Sequence, residues 1–152
     1  MKIEYLADRP EFVSALAVWH RREWGNLRPD ESVEARATKL RAWSGHRQIP
    51  TVFIATVAET LLGSAMLVAH DMDTRMQWTP WLAGVVVAPE CRGRGIGSCL
   101  AEHAATEACA LGFATLFLYT FSTEEYYARL GWERVERDSY LGVVTIMSRR
   151  LK

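Results

Sequence analysis

The 152-residue sequence predicts a single α/β domain: a mixed, mostly antiparallel sheet of about seven strands carrying four helices. Apolar β-branched runs and helix-period segments follow one another in the order β-α-α-β-β-β-α-β-α-β-β. The strand–helix–strand unit over 81–119 requires a parallel pair joined by a right-handed crossover. Short connections at 58–60 and at Gly142 join neighbouring strands, so the remaining pairing is largely antiparallel.

Ile3 to Leu6 reads as the first strand. Asp8-x-x-Glu11 has the form of a capping box with Pro10 in the first turn, predicting a helix from Pro10 to Trp24 that Gly25 stops. Phe12, Ala15, Leu16 and Trp19 recur on it at helical spacing. A second helix is expected from Ser32 to Trp43, with Ala35, Leu40 and Trp43 as its buried positions. Thr51–Val57 and Leu61–Ala69 form a hairpin, because both runs are β-branched or apolar and only a short polar connection separates them. His70 to Pro80 is polar and irregular, a surface loop. Trp81–Val87 is a buried strand, Ile96–Leu111 a helix ended by Gly112, and Thr115–Tyr119 another apolar strand. Ser122-x-x-Glu125 suggests a second capping box opening a short helix to Leu130. Glu133–Tyr140 and Val143–Arg149 complete the sheet.

Composition excludes several classes of function. Eighteen basic and 18 acidic residues give zero formal charge, which offers no electrostatic footprint for nucleic acid or a membrane surface. No apolar run approaches the length of a membrane span, and the first residues lack the apolar core of a secretory signal. Cys91, Cys99 and Cys109 are odd in number and lack a Cys-x-x-Cys spacing, so they read as reduced thiols of a cytoplasmic protein. His20, His46, His70 and His103 are too scattered for a metal cluster, and each reads as a surface or packing residue.

Chemistry concentrates at Arg92-Gly93-Arg94-Gly95-Ile96-Gly97-Ser98, between the apolar run Val85-Val86-Val87 and a helix start. The first amides of a helix have no internal partner and the helix dipole adds positive charge there, so a glycine loop at this place makes an anion pocket. A phosphate-binding P-loop would need a lysine after its last glycine, and a dinucleotide fingerprint would need Gly-x-Gly-x-x-Gly in the first βαβ unit. Neither is present, and a nucleotide-phosphate binding module is therefore remote.

Arg92, Gly95 and Gly97 match Arg/Gln-x-x-Gly-x-Gly/Ala, and the segment Val87–Ser98 closely resembles the acyl-CoA-binding segment of GNAT-type N-acetyltransferases. Tyr126-Tyr127-Ala128-Arg129-Leu130-Gly131-Trp132 resembles the aromatic-Tyr-x-x-x-Gly-aromatic block that follows later in that family. The clear match runs from Trp81 to Trp132.

The resemblance implies a GNAT-like fold in which the strands 81–87 and 115–119 splay apart around the pantetheine arm of acetyl-CoA. It implies that residues 92–98 hold the pyrophosphate, that backbone groups of Val85, Val86 and Val87 pair with pantetheine amides, and that Tyr127 protonates the departing thiolate. No metal is implied. Many relatives place a carboxylate on the strand before the glycine loop, whereas this one reads Trp81-Leu82-Ala83-Gly84-Val85. Glu23, Asp71, Asp73 or a water relay then remain as candidates for the general base.

The acceptor implied is a primary amine on a small molecule or on a protein or peptide N-terminus, attacking directly in a ternary complex. Seven basic residues against four acidic ones between Arg21 and Arg47 suggest an acceptor bearing a carboxylate. Trp24, Arg36 and Trp81 are candidate acceptor-site residues, with Trp78 a further cleft wall. The alternative is a non-catalytic acyl-CoA-binding sensor or interaction protein of the same fold. The final strands offer an exposed edge for a homodimer.

Overall fold

A computed structural model of the chain describes residues 1–151. Its strands are β1 (Lys2–Tyr5), β2 (Thr51–Val57), β3 (Thr60–Val68), β4 (Trp81–Val87), β5 (Thr115–Thr120), β6 (Glu133–Ser139) and β7 (Val143–Arg150). Its α-helices are α1 (Val13–Trp24), α2 (Val33–Trp43), α3 (Ile96–Ala110) and α4 (Glu124–Arg129). The strands form one seven-stranded sheet in the order β1-β2-β3-β4-β5-β7-β6. Every neighbouring pair is antiparallel except β4–β5, as the α3 crossover demands.

Alternation along the central strands sends successive side chains to opposite faces. Phe53, Ala55, Ala65 and Leu67 pack with Leu100, Ala104 and Ala108 of α3, together with Tyr127 and Trp132. Val52, Ile54, Met66 and Val68 pack on the other face with Leu16 and Ala17 of α1 and Leu40 of α2. Both faces are covered, which explains why β2 and β3 read as nearly continuous apolar runs. No helix among the described residues is long and apolar enough to cross a membrane.

Helix starts are where local pattern and structure part. The capping box expected at Asp8–Glu11 does not form: Asp8 accepts from His46 Nε2 at 2.7 Å, and Glu11 from Arg9 Nε at 2.8 Å. Pro10–Phe12 is a 3₁₀ turn, and α1 begins only at Val13. The second expected box fails too: α4 begins at Glu124 with Thr123, not Ser122, at its N-cap and no side chain capping it, while Thr120 Oγ1 accepts from the Thr123 amide at 3.1 Å. Ser32 does cap α2, its Oγ accepting from the Ala35 amide at 3.0 Å. Ala35 itself is exposed, and the buried positions of α2 are Ala37 and Leu40.

Leu100 is fully buried and seats α3 against the sheet. Leu100→Ala is expected to destabilise the protein by about 3 kcal/mol, the usual range for a fully buried leucine being about 2–5. Urea unfolding measures this, and an unchanged midpoint would contradict the packing described.

Candidate functional site

β4 and β5 pair at Trp81–Phe117 and at no later residue. β4 also carries an irregularity, on its β3 side and three residues beyond that last pair. Across β3, Ser64 faces Val86 and Met66 faces Ala83, so Gly84 and Val85 together oppose Ala65 alone. This is a β-bulge, which bends a strand and increases its twist. Gly84 lies at φ +59°, and a Cβ there would meet Met66 Sδ at 2.5 Å, so backbone conformation and space both require glycine. Beyond the bulge, the β5-facing edge of β4 carries main-chain groups that β5 does not pair.

At the end of β4 a short 3₁₀ turn, Pro89–Cys91, leads into the glycine loop. Gly95 is left-handed at φ +79° and stands where α3 opens, with no side chain capping the helix. Arg92, Gly93, Arg94 and Gly95 are exposed, while Ile96 is buried and anchors the first turn. Arg92 Nε donates to the Val87 carbonyl at 3.1 Å, tying the loop to the strand. Ser98 Oγ and the Tyr126 hydroxyl are hydrogen-bonded at 2.9 Å, so Tyr126 pins α3 as well as packing. Uncapped helix amides, two arginines and an unobstructed glycine backbone fit a pyrophosphate.

The opening between the strands is part of a cavity of about 860 Å³. Ala83, Gly84, Val85, Leu118, Tyr119 and Tyr127 line it from the strands and α4; His20, Glu23, Trp24 and Arg36 line it from the first two helices. Tyr127 is 9% exposed, edge-on to Tyr126 and Trp132, and burial pushes its phenol well above the ordinary tyrosine range. It therefore stays protonated across the physiological range.

The carboxylates of the site differ. Asp71, in the loop before β4, is pushed up to about 7 by burial, against the opposing pull of Arg28 and Arg36. Tyr119 is raised as well, by burial and then by Asp71. Glu23 is largely exposed and forms an ion pair with Arg92 at 3.6 Å, which sets it beside the glycine loop. Asp73 lines the cavity from an exposed position.

Part of the basic excess read from the sequence meets a partner within the site. Arg36 pairs with Glu31 at 3.7 Å, Lys39 pairs with Glu31 at 2.5 Å, and Arg21 donates to the Glu31 carbonyl at 2.5 Å. Arg28 lines the cavity without an ion-pair partner among the described residues.

The sheet thus combines a splayed parallel pair, a glycine-loop helix start and a buried tyrosine beside the opening. Residues 13–132 match the acetyltransferase (GNAT) family, and the chain belongs to it. Its fold is similar to an aminoglycoside 6'-N-acetyltransferase complexed with coenzyme A, at TM-score 0.80 and 16% identity, covering 100% of this chain and 98% of that one. It is also similar to a ribosomal-protein-alanine N-acetyltransferase from Brucella melitensis, at TM-score 0.77, 18% identity and 99% coverage of both chains. A third likeness is to yncA, a putative acetyltransferase from Salmonella typhimurium with its cofactor acetyl-CoA, at TM-score 0.73, 17% identity, and 99% and 94% coverage.

The cavity brings together Val85, Tyr127, Trp24, Arg36, Glu23, Asp71 and Asp73. It does not include Trp81. That indole is fully buried in the α1–α2 core, its N–H donating to the Trp78 carbonyl at 2.7 Å, so Trp81 is a core residue and cannot wall a cleft. Trp78 stacks on Phe117 at 5.3 Å and likewise belongs to the packing. Sequence reasoning missed His20 and Ser64, both buried, and Tyr119. His20 follows Leu16 by four residues on the buried face of α1, a signal that it is enclosed, but its partner Ser64 is reached only through the fold.

Gly95→Ala is expected to cost about 1–2 kcal/mol, because a left-handed residue with a Cβ is strained by that amount. Chemical unfolding measures it; an unchanged stability would contradict the left-handed helix entry.

Proposed function

We propose that the chain is an acetyl-CoA-dependent N-acetyltransferase, one domain over its whole length, which moves an acetyl group to a primary amine by direct attack in a ternary complex. The observation that carries this reading is that Tyr127, Asp71 and the unpaired edge of β4 line or border one cavity. Acetyl-CoA supplies a thioester activated toward amines. The glycine loop, residues 92–98, binds its pyrophosphate, with Arg92 and Arg94 adding charge, and Val85, Val86 and Val87 hydrogen-bond the pantetheine arm through their main chain.

Asp71 is the base. An acceptor amine arrives mostly as ammonium and must lose a proton before attack, and a carboxylate that titrates near neutrality is suited to take it. Glu23, held by Arg92 at the glycine-loop side, is less suited to that role. A β4 amide donates to the carbonyl oxygen as negative charge develops there, a contribution on the order of 3 kcal/mol for a fixed donor. As the new C–N bond forms and the C–S bond breaks, Tyr127 delivers its phenolic proton to the leaving sulfur. A phenol near ~10 is a weaker acid than a thiol near ~8.5, so the proton moves with bond cleavage and not before it. Burial of Tyr127 strengthens that requirement.

The acceptor is a primary amine on a small molecule or at a peptide N-terminus, with Trp24 and Arg36 on its side of the cavity. Arg28, which lines the cavity without an ion-pair partner among the described residues, supports a carboxylate on that acceptor. The alternative, a non-catalytic acyl-CoA binder, drew its support from the missing carboxylate on β4; Asp71 offers one from the preceding loop.

Tyr127→Phe is expected to lower kcat by about 10²–10⁴-fold, the usual contribution of a general acid, with acetyl-CoA affinity retained. A CoA-release assay over amino acids, short peptides, polyamines and aminoglycosides measures it, and unchanged turnover across pH would remove the acid role. Ionised Asp71 is the active form, so kcat/KM should rise with pH through about 7 in the wild type, and Asp71→Asn should lose that limb. Persistence of the same limb in Asp71→Asn would assign it to another group. Stability runs the other way. Between the unfolded aspartate value near ~3.9 and about 7 the folded state keeps a proton that the unfolded chain has lost, so Asp71 makes stability fall as pH rises through that window.

A further inference from the structure

A buried hydrogen-bond chain crosses from α2 to the bulge of β4. Arg36 Nε and Nη2 lie 3.2 and 3.0 Å from His20 Nδ1, His20 Nε2 lies 3.1 Å from Ser64 Oγ, and Ser64 Oγ donates to the Gly84 carbonyl at 2.7 Å. The direction of every bond is determined. A guanidinium has only donors, so His20 Nδ1 must be the acceptor nitrogen. The proton of the neutral imidazole is then on Nε2 and is given to Ser64, whose own hydroxyl proton is left for Gly84. His20 is 2% exposed and Ser64 fully buried, so neither can exchange its partner for water. The His20 ring also lies edge-on to Trp24 at 5.3 Å, and a Cβ on Gly84 would come within 3.4 Å of its Cε1.

The chain ends at Gly84, which lies in the stretch of β4 that β5 no longer pairs. Gly84 carries the bulge, and Val85, which lines the cavity, follows immediately after it. A bulged carbonyl has left the regular ladder, and fixing it with a directed donor restricts where the following amides can point. We propose that Arg36, His20 and Ser64 act as positioning residues for the transfer reaction, holding the Gly84 carbonyl so that the Val85 segment meets the acyl group in one geometry. The proposal rests on the acetyltransferase reading and adds three residues that touch neither the cosubstrate thioester nor the proton being transferred. It also gives Arg36 a role different from contact with the acceptor. Protonation of His20 would set a second proton against Arg36; burial, then Arg36, hold the imidazole down to about 3, so the chain keeps its direction at neutral pH.

Two measurements test this. Nitrogen-15 NMR of the ligand-free wild-type protein at neutral pH should report His20 as the neutral Nε2–H tautomer; the Nδ1–H tautomer or an imidazolium would overturn the chain. Steady-state kinetics of Ser64→Ala and His20→Leu should show kcat reduced by about 10²-fold, the scale of a misplacement of about 1 Å in an oriented reaction, with KM for acetyl-CoA little changed. His20→Gln, whose amide can accept from Arg36 and donate to Ser64, should recover most of that loss, which a filler of space would not. Thermal unfolding identifies the variants that are folded. Unchanged kcat in folded Ser64→Ala, or equal losses in His20→Gln and His20→Leu, would overturn the positioning role while leaving the acetyltransferase reading intact. Failure of the wild type to release CoA with any amine would instead remove the acetyltransferase reading, and the catalytic claim with it.

Discussion

The divergence of β4 from β5 after Trp81–Phe117 is the constraint on which the rest of this molecule depends. A sheet seldom leaves main-chain groups unpaired at its centre, because each such group needs another partner. Here the unpaired stretch of β4 contains the bulge at Gly84, and both faces of the sheet remain packed by helices. What results is a slot with a polar floor of backbone, a helix start with free amides at the end of β4, and a buried tyrosine beside it. The fold thereby provides for a long, amide-bearing ligand with an anionic group at one end.

Charge in the slot is only partly paired. Glu31 serves both Arg36 and Lys39, and Glu23 faces Arg92. Asp71 is the exception, enclosed enough that burial outweighs the attraction of Arg28 and Arg36. Arg36, besides pairing with Glu31 and lining the cavity, donates to His20 Nδ1.

Fold class and the glycine-loop helix start were legible in the sequence because their signals are local. The strand, the glycines and the helix start are contiguous, and the Tyr127 block lies in one short segment. The crossover between β4 and β5 follows from the handedness of a strand–helix–strand unit and needs no tertiary information. Helix caps were misjudged at Asp8 and Ser122 because the expected side chains found other partners or lay one residue outside the helix. Trp81 looked like a cleft wall from its place beside the loop, but alternation along β4 turns it into the core. Glu23 stood first among the candidate bases, and Asp71 differs from Asp73 in being the less exposed of the two. His20, Ser64 and Gly84 meet across three elements, a coincidence that no spacing encodes.

The central claim is that the unpaired edge of β4 and the glycine loop receive one ligand together. Amide hydrogen exchange with and without acetyl-CoA tests it most directly, because it reads main-chain groups one segment at a time. Protection should appear at once over Val85–Val87 and Gly93–Gly97 and be absent from the outer strand β6. No protection at saturating acetyl-CoA, or protection of the glycine loop without β4, would contradict a cosubstrate bound along the divergence of the strands.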